Sequence, residues 1–385
     1  MILNANALAI PLADQSVQCV VTSPPYYGLR NYGVDGQIGL EVTPDEYIAN
    51  LVAVFRECKR ILRDDGILWV NIGDSYNGSA PNQSGQNGYN DGRENRDKRY
   101  STGGVNGLKP KDLIGIPWML AFALRADGWW LRQDIIWAKP NPMPESVKDR
   151  CTKSHEYIFL LSKSARYYYD NEAVKEDAAG GRERFGGAKY GDKGLDKSRN
   201  DTARFDETIV SVRNKRDVWT VTTKPYKGAH YATFNPELIK PCILAGAPET
   251  CCAKCGAPYE RVVERDRKAR NELPKDDPRY RPNTYHGSYE NINGKGDAGY
   301  TFTQTTGYRP TCNCNAGTSS GIVFDPFVGS GTTVATAIQL GRKGIGLDLS
   351  LTYLYENAKD RIEAEMLPLL TLIEQNKQEQ TCTKN

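Results

Sequence analysis

The chain has few long apolar runs and little excess charge. No run of about 18 apolar residues occurs anywhere in it, which excludes a helical membrane span. The N-terminal stretch MILNANALAI has neither a basic region nor a long apolar segment, so no secretory signal is read and a cytoplasmic location is expected. Charge of one sign is also missing. Fifty Lys and Arg stand against 47 Asp and Glu, a net charge of +3, so any surface for a polyanion has to come from local clusters. No internal repeat of useful length is evident.

What is present fits a globular α/β protein. Hydrophobic residues make up 39% and charged residues 25% of 385, enough for one large domain plus a smaller one, or for a core with long insertions. Ser16 to Thr22 reads as a short buried strand, stopped by Pro24 and Pro25. Between Thr43 and Leu62, Tyr47, Leu51, Val54, Phe55, Cys58 and Ile61 recur with helical spacing, and Thr43 with Glu46 predicts a capping box. Asp64-Asp65-Gly66 predicts a turn into a second strand over 67–72, the strand-helix-strand grammar of a parallel sheet. A helix is expected over Lys111 to Ala126, with strands over Trp130 to Ala138 and Glu156 to Ser162. Later, helical spacing returns before Leu244, from a start after Thr233 or Asn235. A strand at 322–324, a helix over 332–340, a strand at 344–347 and a helical region over 351–369 follow. The stretches 74–108 and 167–227 are rich in Gly, Asn, Arg, Lys and Asp and have little to bury; loops of that length are functional or disordered.

Two motifs carry the chemistry. Phe324-Asp325-Pro326-Phe327-Val328-Gly329-Ser330-Gly331-Thr332-Thr333 joins a strand to a helix through a glycine turn, an arrangement that aims backbone N–H groups at a ligand. No Lys follows the last glycine, so it is not a Walker loop, and it does not match the dinucleotide fingerprint. Asp348 ends the next strand, where an acidic side chain commonly takes ribose hydroxyls. Near the other terminus stands Thr22-Ser23-Pro24-Pro25-Tyr26, a proline-stiffened polar and aromatic clamp suited to a planar substrate.

Together these motifs resemble the S-adenosylmethionine-dependent amino-methyltransferases of DNA, in the beta-class order with the clamp first and the cofactor loop last. The resemblance covers residues 1–165 and 230–370. It implies a Rossmann-like methyltransferase sheet, circularly permuted, with a target-recognition insertion and a zinc-binding insertion. The expected division is a catalytic half over 1–165, target recognition over 166–229, a helix at the cofactor pocket over 230–249, the zinc insertion over 250–317, the cofactor half over 318–370 and a polar tail over 371–385. It assigns Ser23, Pro24, Pro25 and Tyr26 to catalysis. Thr22, Asp325, Pro326, Phe327, Gly329, Gly331, Thr332 and Asp348 are assigned to S-adenosylmethionine, with Phe234 and Asn235 from the segment that lines the family's cofactor pocket. Asn6 stands where the family carries an acidic residue near adenine, and supplies no charge there. Ser at the first clamp position resembles the cytosine-N4 enzymes; adenine-N6 members more often carry Asp or Asn. A catalytically silent DNA-binding module is the reading of a different class. The Pro241-Cys242 pair of a cytosine-C5 enzyme falls inside an expected helix and reads as packing.

Double-stranded DNA is the expected partner, with a homodimer and a cognate restriction enzyme allowed by the family. Arg93, Arg96, Lys98, Arg99, Arg182, Arg184, Lys189, Arg199 and Arg204, with Tyr190 and Phe205, are the candidate DNA contacts. Ten cysteines are present, and four of them form two close pairs, Cys252-x-x-Cys255 and Cys312-x-Cys314, with Cys251 beside the first. Two thiolate pairs supply the ligands of a structural Zn2+ site, and the polar stretch between them has little core of its own.

Overall fold

The computed structural model describes residues 1–77, 108–109, 111–177, 212–223, 235–268, 275–276 and 300–366. They belong to two compact units. The larger is drawn from Met1–Ala173, Arg216–Tyr259 and Pro310–Asn385, the smaller from Val174–Lys215 and Glu260–Arg309. The candidate DNA contacts between 93 and 99 and between 182 and 205 lie outside the described residues. Among the described residues, no helix is long and apolar enough to cross a membrane.

Strand β1 (Ile2–Asn4) and strand β2 (Val17–Thr22) precede helix α1 (Pro44–Ile61) and strand β3 (Leu62–Ile72). Every residue of β2 is buried, as in a strand covered on both faces. Helix α1 buries the apolar stripe read from its sequence and starts at the expected capping box: Thr43 Oγ1 accepts from Glu46 N at 3.2 Å and Glu46 Oε2 accepts from Thr43 N at 3.2 Å. Strand β3 begins five residues before the expected position. Val17 lies opposite Leu62 and Cys19 opposite Ile67, so residues 63–66 stand against Gln18 alone, three more than the ladder needs. The surplus lets Asp64 and Asp65 leave the sheet for Lys163 at 3.0 Å and Arg63 at 2.9 Å.

Helix α2 (Ile116–Ala126) also departs from expectation, starting at Ile116 instead of Lys111. Its start is set from elsewhere in the chain. Asp74, just past β3, accepts from the N–H groups of Gly115 and Ile116 through Oδ1, both at 3.0 Å, and Pro117 in the first turn has no N–H to satisfy. Strands β4 (Trp130–Ala138) and β5 (His155–Ser162) follow as an antiparallel pair. In the smaller unit β6 (Glu176–Asp177) pairs with β7 (Val212–Arg213). Strand β8 (Val218–Thr220) joins β4 in parallel, so the main sheet reclaims residues that the sequence assigns to the insertion over 166–229.

Helix α3 (Pro236–Gly246) is capped by Asn235 and contains Cys242, buried and packed as expected. The remaining elements are β9 (Cys251–Cys252), β10 (Tyr259–Lys268), β11 (Tyr300–Pro310), β12 (Thr318–Ser319), β13 (Ile322–Asp325), α4 (Thr332–Gln339), β14 (Lys343–Asp348) and α5 (Leu351–Tyr353), which runs into a π-helical turn over Leu354–Ala358. The main sheet has the order β1-β14-β13-β2-β3-β5-β4-β8. From β1 to β3 all neighbours are parallel, and β5 runs against both β3 and β4. One apolar cluster joins Val20, Leu68 and Val70 to α1 and α2, while Gly246 of α3 lies against Cys19 and Ile67. The sheet is thereby covered on both faces, and the ends of β14, β13, β2 and β3 share one edge.

Asp74→Ala removes the acceptor of two helix-start N–H groups and is expected to destabilise the chain by about 1–2 kcal/mol. Urea unfolding of the full chain measures it; a change within experimental error contradicts the capping role.

Candidate active site at the strand-end edge

The two motifs meet because β2 and β13 are adjacent and parallel, with Cys19 opposite Val323 and Val20 opposite Phe324. Thr22 ends one strand and Asp325 the other. Thr22 Oγ1 donates to Asp325 Oδ1 at 2.6 Å, Phe327 N donates to the same oxygen at 3.0 Å, and Thr333 Oγ1 donates to Oδ2 at 2.6 Å. Asp325 is 1% exposed. Burial pushes its carboxyl up to about 6, against the pull of the donors from Thr22, Thr333 and Phe327. Oδ1 thus joins the clamp strand to the loop, and Oδ2 holds the first turn of α4.

The loop after β13 is shaped by what packs beneath it. Gly331 caps α4 with φ at +79°, and a Cβ there would lie 3.1 Å from Ile362 Cδ1 and 3.3 Å from Ala358 Cα, so only glycine fits both the turn and the contact. Arg361 donates to Thr332 Oγ1 at 2.7 Å. Asp348 closes the next strand; its Oδ2 accepts from Gly329 N at 3.1 Å and its Oδ1 from Ser350 N at 2.9 Å. Burial raises the pKa of this second carboxyl too, while its backbone donors hold it down. Pro326 is buried behind the turn, and Phe327 is half-buried.

On the clamp side, Ser23 is half-buried and Pro24 buried. Tyr47 of α1 donates to the Pro25 carbonyl at 2.7 Å, and no donor among the described residues takes the Pro24 carbonyl. Tyr26 is fixed at its far end: its hydroxyl donates to Glu156 Oε2 at 2.6 Å. Glu156 also pairs with Lys139 and accepts from Asn71 Nδ2 at 3.3 Å. Asn71 Nδ2 further donates to the Tyr157 carbonyl at 3.1 Å. Burial, then the neighbouring Glu156 charge, raises the Tyr26 pKa well above its ordinary value, so it stays a neutral donor. A Cβ on Gly73 would stand 2.8 Å from Tyr26 Cε2, which makes this close approach another glycine-only position.

Glu156, Asn71, Lys139 and Gly73 have no role in the sequence reading. The signal was there in part: Asn71 interrupts the apolar run Ile67 to Ile72, and a buried amide in a strand needs partners. Other assigned residues lie farther out. Asn6 is exposed, two residues beyond β1, with its Oδ1 accepting from Leu8 N at 2.9 Å. Asn235 is buried as the α3 cap, accepting from Glu237 N at 3.1 Å and donating to the Thr222 carbonyl at 2.9 Å. Phe234 lies outside the described residues. A surface depression lined by Asp14, Arg56, Lys59, Arg60, Asp127 and Lys163 sits at the opposite edge, where β2 and β4 begin. Its arginines are already paired, Arg60 with Asp14 and Arg56 with Asp127, both at 2.6 Å, so it offers little uncompensated charge.

The chain is similar to known proteins in sequence and in fold. The model of the family described as DNA methylase matches residues 17–250 and 314–359, an extent that holds both motifs. Type II methyltransferase M.Cfr9I of Citrobacter freundii is 51% identical over 237 residues, 61% of this chain and 67% of its own length. Type II methyltransferase M.SmaI of Serratia marcescens is 48% identical over 236 residues, 61% and 70% of the two chains. Among solved structures, PvuII DNA methyltransferase (cytosine-N4-specific) shares the mixed α/β fold, with a TM-score of 0.50 at 14% identity over 94% of this chain and 85% of that one.

The carboxyl of Asp325 favours the folded state most below its ordinary value of 3.8, and this contribution falls as pH rises through about 6. Thr22→Val deletes one donor to the ionised form. It is expected to cost about 1–3 kcal/mol in urea unfolding near pH 8 and clearly less near pH 5, where the group is mostly protonated. An equal cost at both pH values contradicts the assignment.

Proposed function

The chain belongs to the DNA methylase family of S-adenosylmethionine-dependent amino-methyltransferases, and from that premise we propose that it is a site-specific Type II enzyme that methylates the exocyclic N4 amine of cytosine in duplex DNA. The observation that carries the reading is the 2.6 Å bond from Thr22 to Asp325, which brings Ser23-Pro24-Pro25-Tyr26 beside the glycine loop. Ser at the first clamp position supports cytosine over adenine by the family resemblance. The clamp-first order, on a sheet where β13 lies between β14 and β2, supports a circularly permuted methyltransferase core.

The loop fits the cofactor by its donor set. A left-handed glycine turn opens at a helix N-terminus, beside the carboxylate of Asp348 at the end of the neighbouring strand. Thr22, Asp325, Pro326, Phe327, Gly329, Gly331, Thr332 and Asp348 would hold it, with Asn6, Phe234 and Asn235 at the margin. When bound, S-adenosylmethionine supplies an electrophilic methyl group.

The residues of the chain make the amine a better nucleophile. Its lone pair is conjugated into the base ring, so it attacks well only when its hydrogens are drawn out of plane. Ser23 Oγ and the Pro24 carbonyl are the acceptors in this reading, and the prolines keep their direction fixed. Tyr26 offers its face to the flipped base, and the Glu156 bond prevents the ring from turning away. Ser23 Oγ, half-buried at the site, would take the amine proton that methylation releases and pass it toward solvent. No covalent link between enzyme and base is involved; the acceleration comes from position and electrostatics. The basic and aromatic segment over 166–229 is read as the target-recognition region.

The test is incubation of the full chain with labelled cofactor and unmethylated mixed-sequence duplex, followed by nucleoside mass spectrometry. N4-methylcytosine is expected. N6-methyladenine overturns the choice of base, and no methylated nucleoside despite cofactor binding overturns the DNA substrate. Ser23→Ala is expected to lower kcat about 100-fold with cofactor affinity kept. Gly73→Ala, which displaces the Tyr26 ring, is expected to lower kcat about 10-fold or more in the same assay, again without weakening cofactor binding.

A further inference from the structure

We propose that Cys252, Cys255, Cys312 and Cys314 bind one zinc ion in a closed structural site where strand β10 begins and its pairing partner β11 ends. Their four Sγ atoms all lie within 4.8 Å of one another. Zinc–thiolate bonds of about 2.3 Å place the corners of a tetrahedron roughly 3.8 Å apart, so the thiols stand close to a metal-bound arrangement. The pairs lie far apart in sequence: Cys252 and Cys255 precede β10, and Cys312 and Cys314 follow β11.

The backbone around them is built to hold this convergence. Gly256 N donates to the Cys252 carbonyl at 2.9 Å, which closes the first pair into a tight knuckle, and Cys252 N donates to the Ala257 carbonyl at 2.9 Å. Strands β9 and β12 pair Cys252 with Thr318, while Thr311 Oγ1 donates to the Pro258 carbonyl at 2.7 Å. The knuckle is tied to the main sheet through Gln18 of β2, whose Nε2 donates to the Gly256 carbonyl at 3.1 Å and whose Oε1 accepts from Ile322 N at 2.7 Å. Arg63 reaches the Cys255 carbonyl.

Two features define the role of the ion. Four protein ligands leave no open position, so the site is structural and takes no part in methyl transfer. All four ligands belong to the larger unit, just before the chain leaves it at Tyr259 and just after it re-enters at Pro310. The metal thus clamps the neck of an excursion that has little core of its own. The family match stops at 250 and resumes at 314, so three of the four ligands lie in the interval it skips and Cys314 stands at its end.

The test uses the full chain purified without chelator. Elemental analysis is expected to find one zinc per chain and negligible iron, and cobalt exchange is expected to give the spectrum of a tetrahedral tetrathiolate site. Cys255→Ser and Cys312→Ser should each weaken zinc binding at least about 10-fold in competition with a chromophoric chelator. Cys151→Ser, an exposed thiol outside the cluster, should leave it unchanged. Should the ligand variants fail to fold, the cobalt spectrum of the unaltered chain decides. Four free thiols that take up neither zinc nor cobalt, a disulfide among them, or bound iron would each overturn the proposal. None of these readouts depends on which base is methylated.

Discussion

The site rests on one buried carboxylate. Asp325 accepts from Thr22, from Thr333 and from the Phe327 backbone, and so joins two segments separated by 303 positions. A charge is expensive to bury, and this one is tolerated because its donors converge from three directions. They are the end of the clamp strand, the cofactor turn and the first turn of α4. If the carboxylate is lost, the clamp and the loop still stand on adjacent strands, but the bonds from Thr22 and Phe327 that set the distance between them are gone. The parallel pairing of β2 with β13 provides the coarse alignment, and this bond network the fine one.

Much of that frame was legible in the sequence wherever the determining interaction is local. The α1 stripe and its Thr43–Glu46 box lie within one helix, and β4 runs over the residues expected. Elements governed by distant partners were not legible. Helix α2 starts where Asp74 can reach it, and the ladder irregularity in β3 depends on β2. Strand β8 is three residues held by the edge of β4 and by Trp219 against Trp69. The same division holds at the site. Both motifs announce themselves as short strings, but Glu156, Asn71 and Lys139 become a unit only when β3, β5 and the loop after β4 are brought together. Asp325 and Asp348 illustrate a subtler point: acidic residues beside a ligand turn are read as ligand contacts, whereas here their oxygens also hold the turn in shape.

The described structure divides its labour by edge. Strand ends carry the chemistry, where parallel strands finish together and leave their loops free to specialise. The opposite edge holds compensated ion pairs. Gln18 near the start of β2 anchors the cysteine knuckle, and Thr22 at its end anchors the cofactor loop, so one six-residue strand serves both attachments.

Because the clamp comes from the first residues and the glycine loop from the last part of the chain, neither half contains a site. The intervening polypeptide is therefore a tether that sets the effective concentration of one half for the other. While it is intact, assembly of the site is unimolecular and independent of how dilute the protein is. A chain cut between β5 and α3 would turn the same assembly into a second-order association of fragments. Activity would then follow protein concentration, although every bond described at the site could form as before.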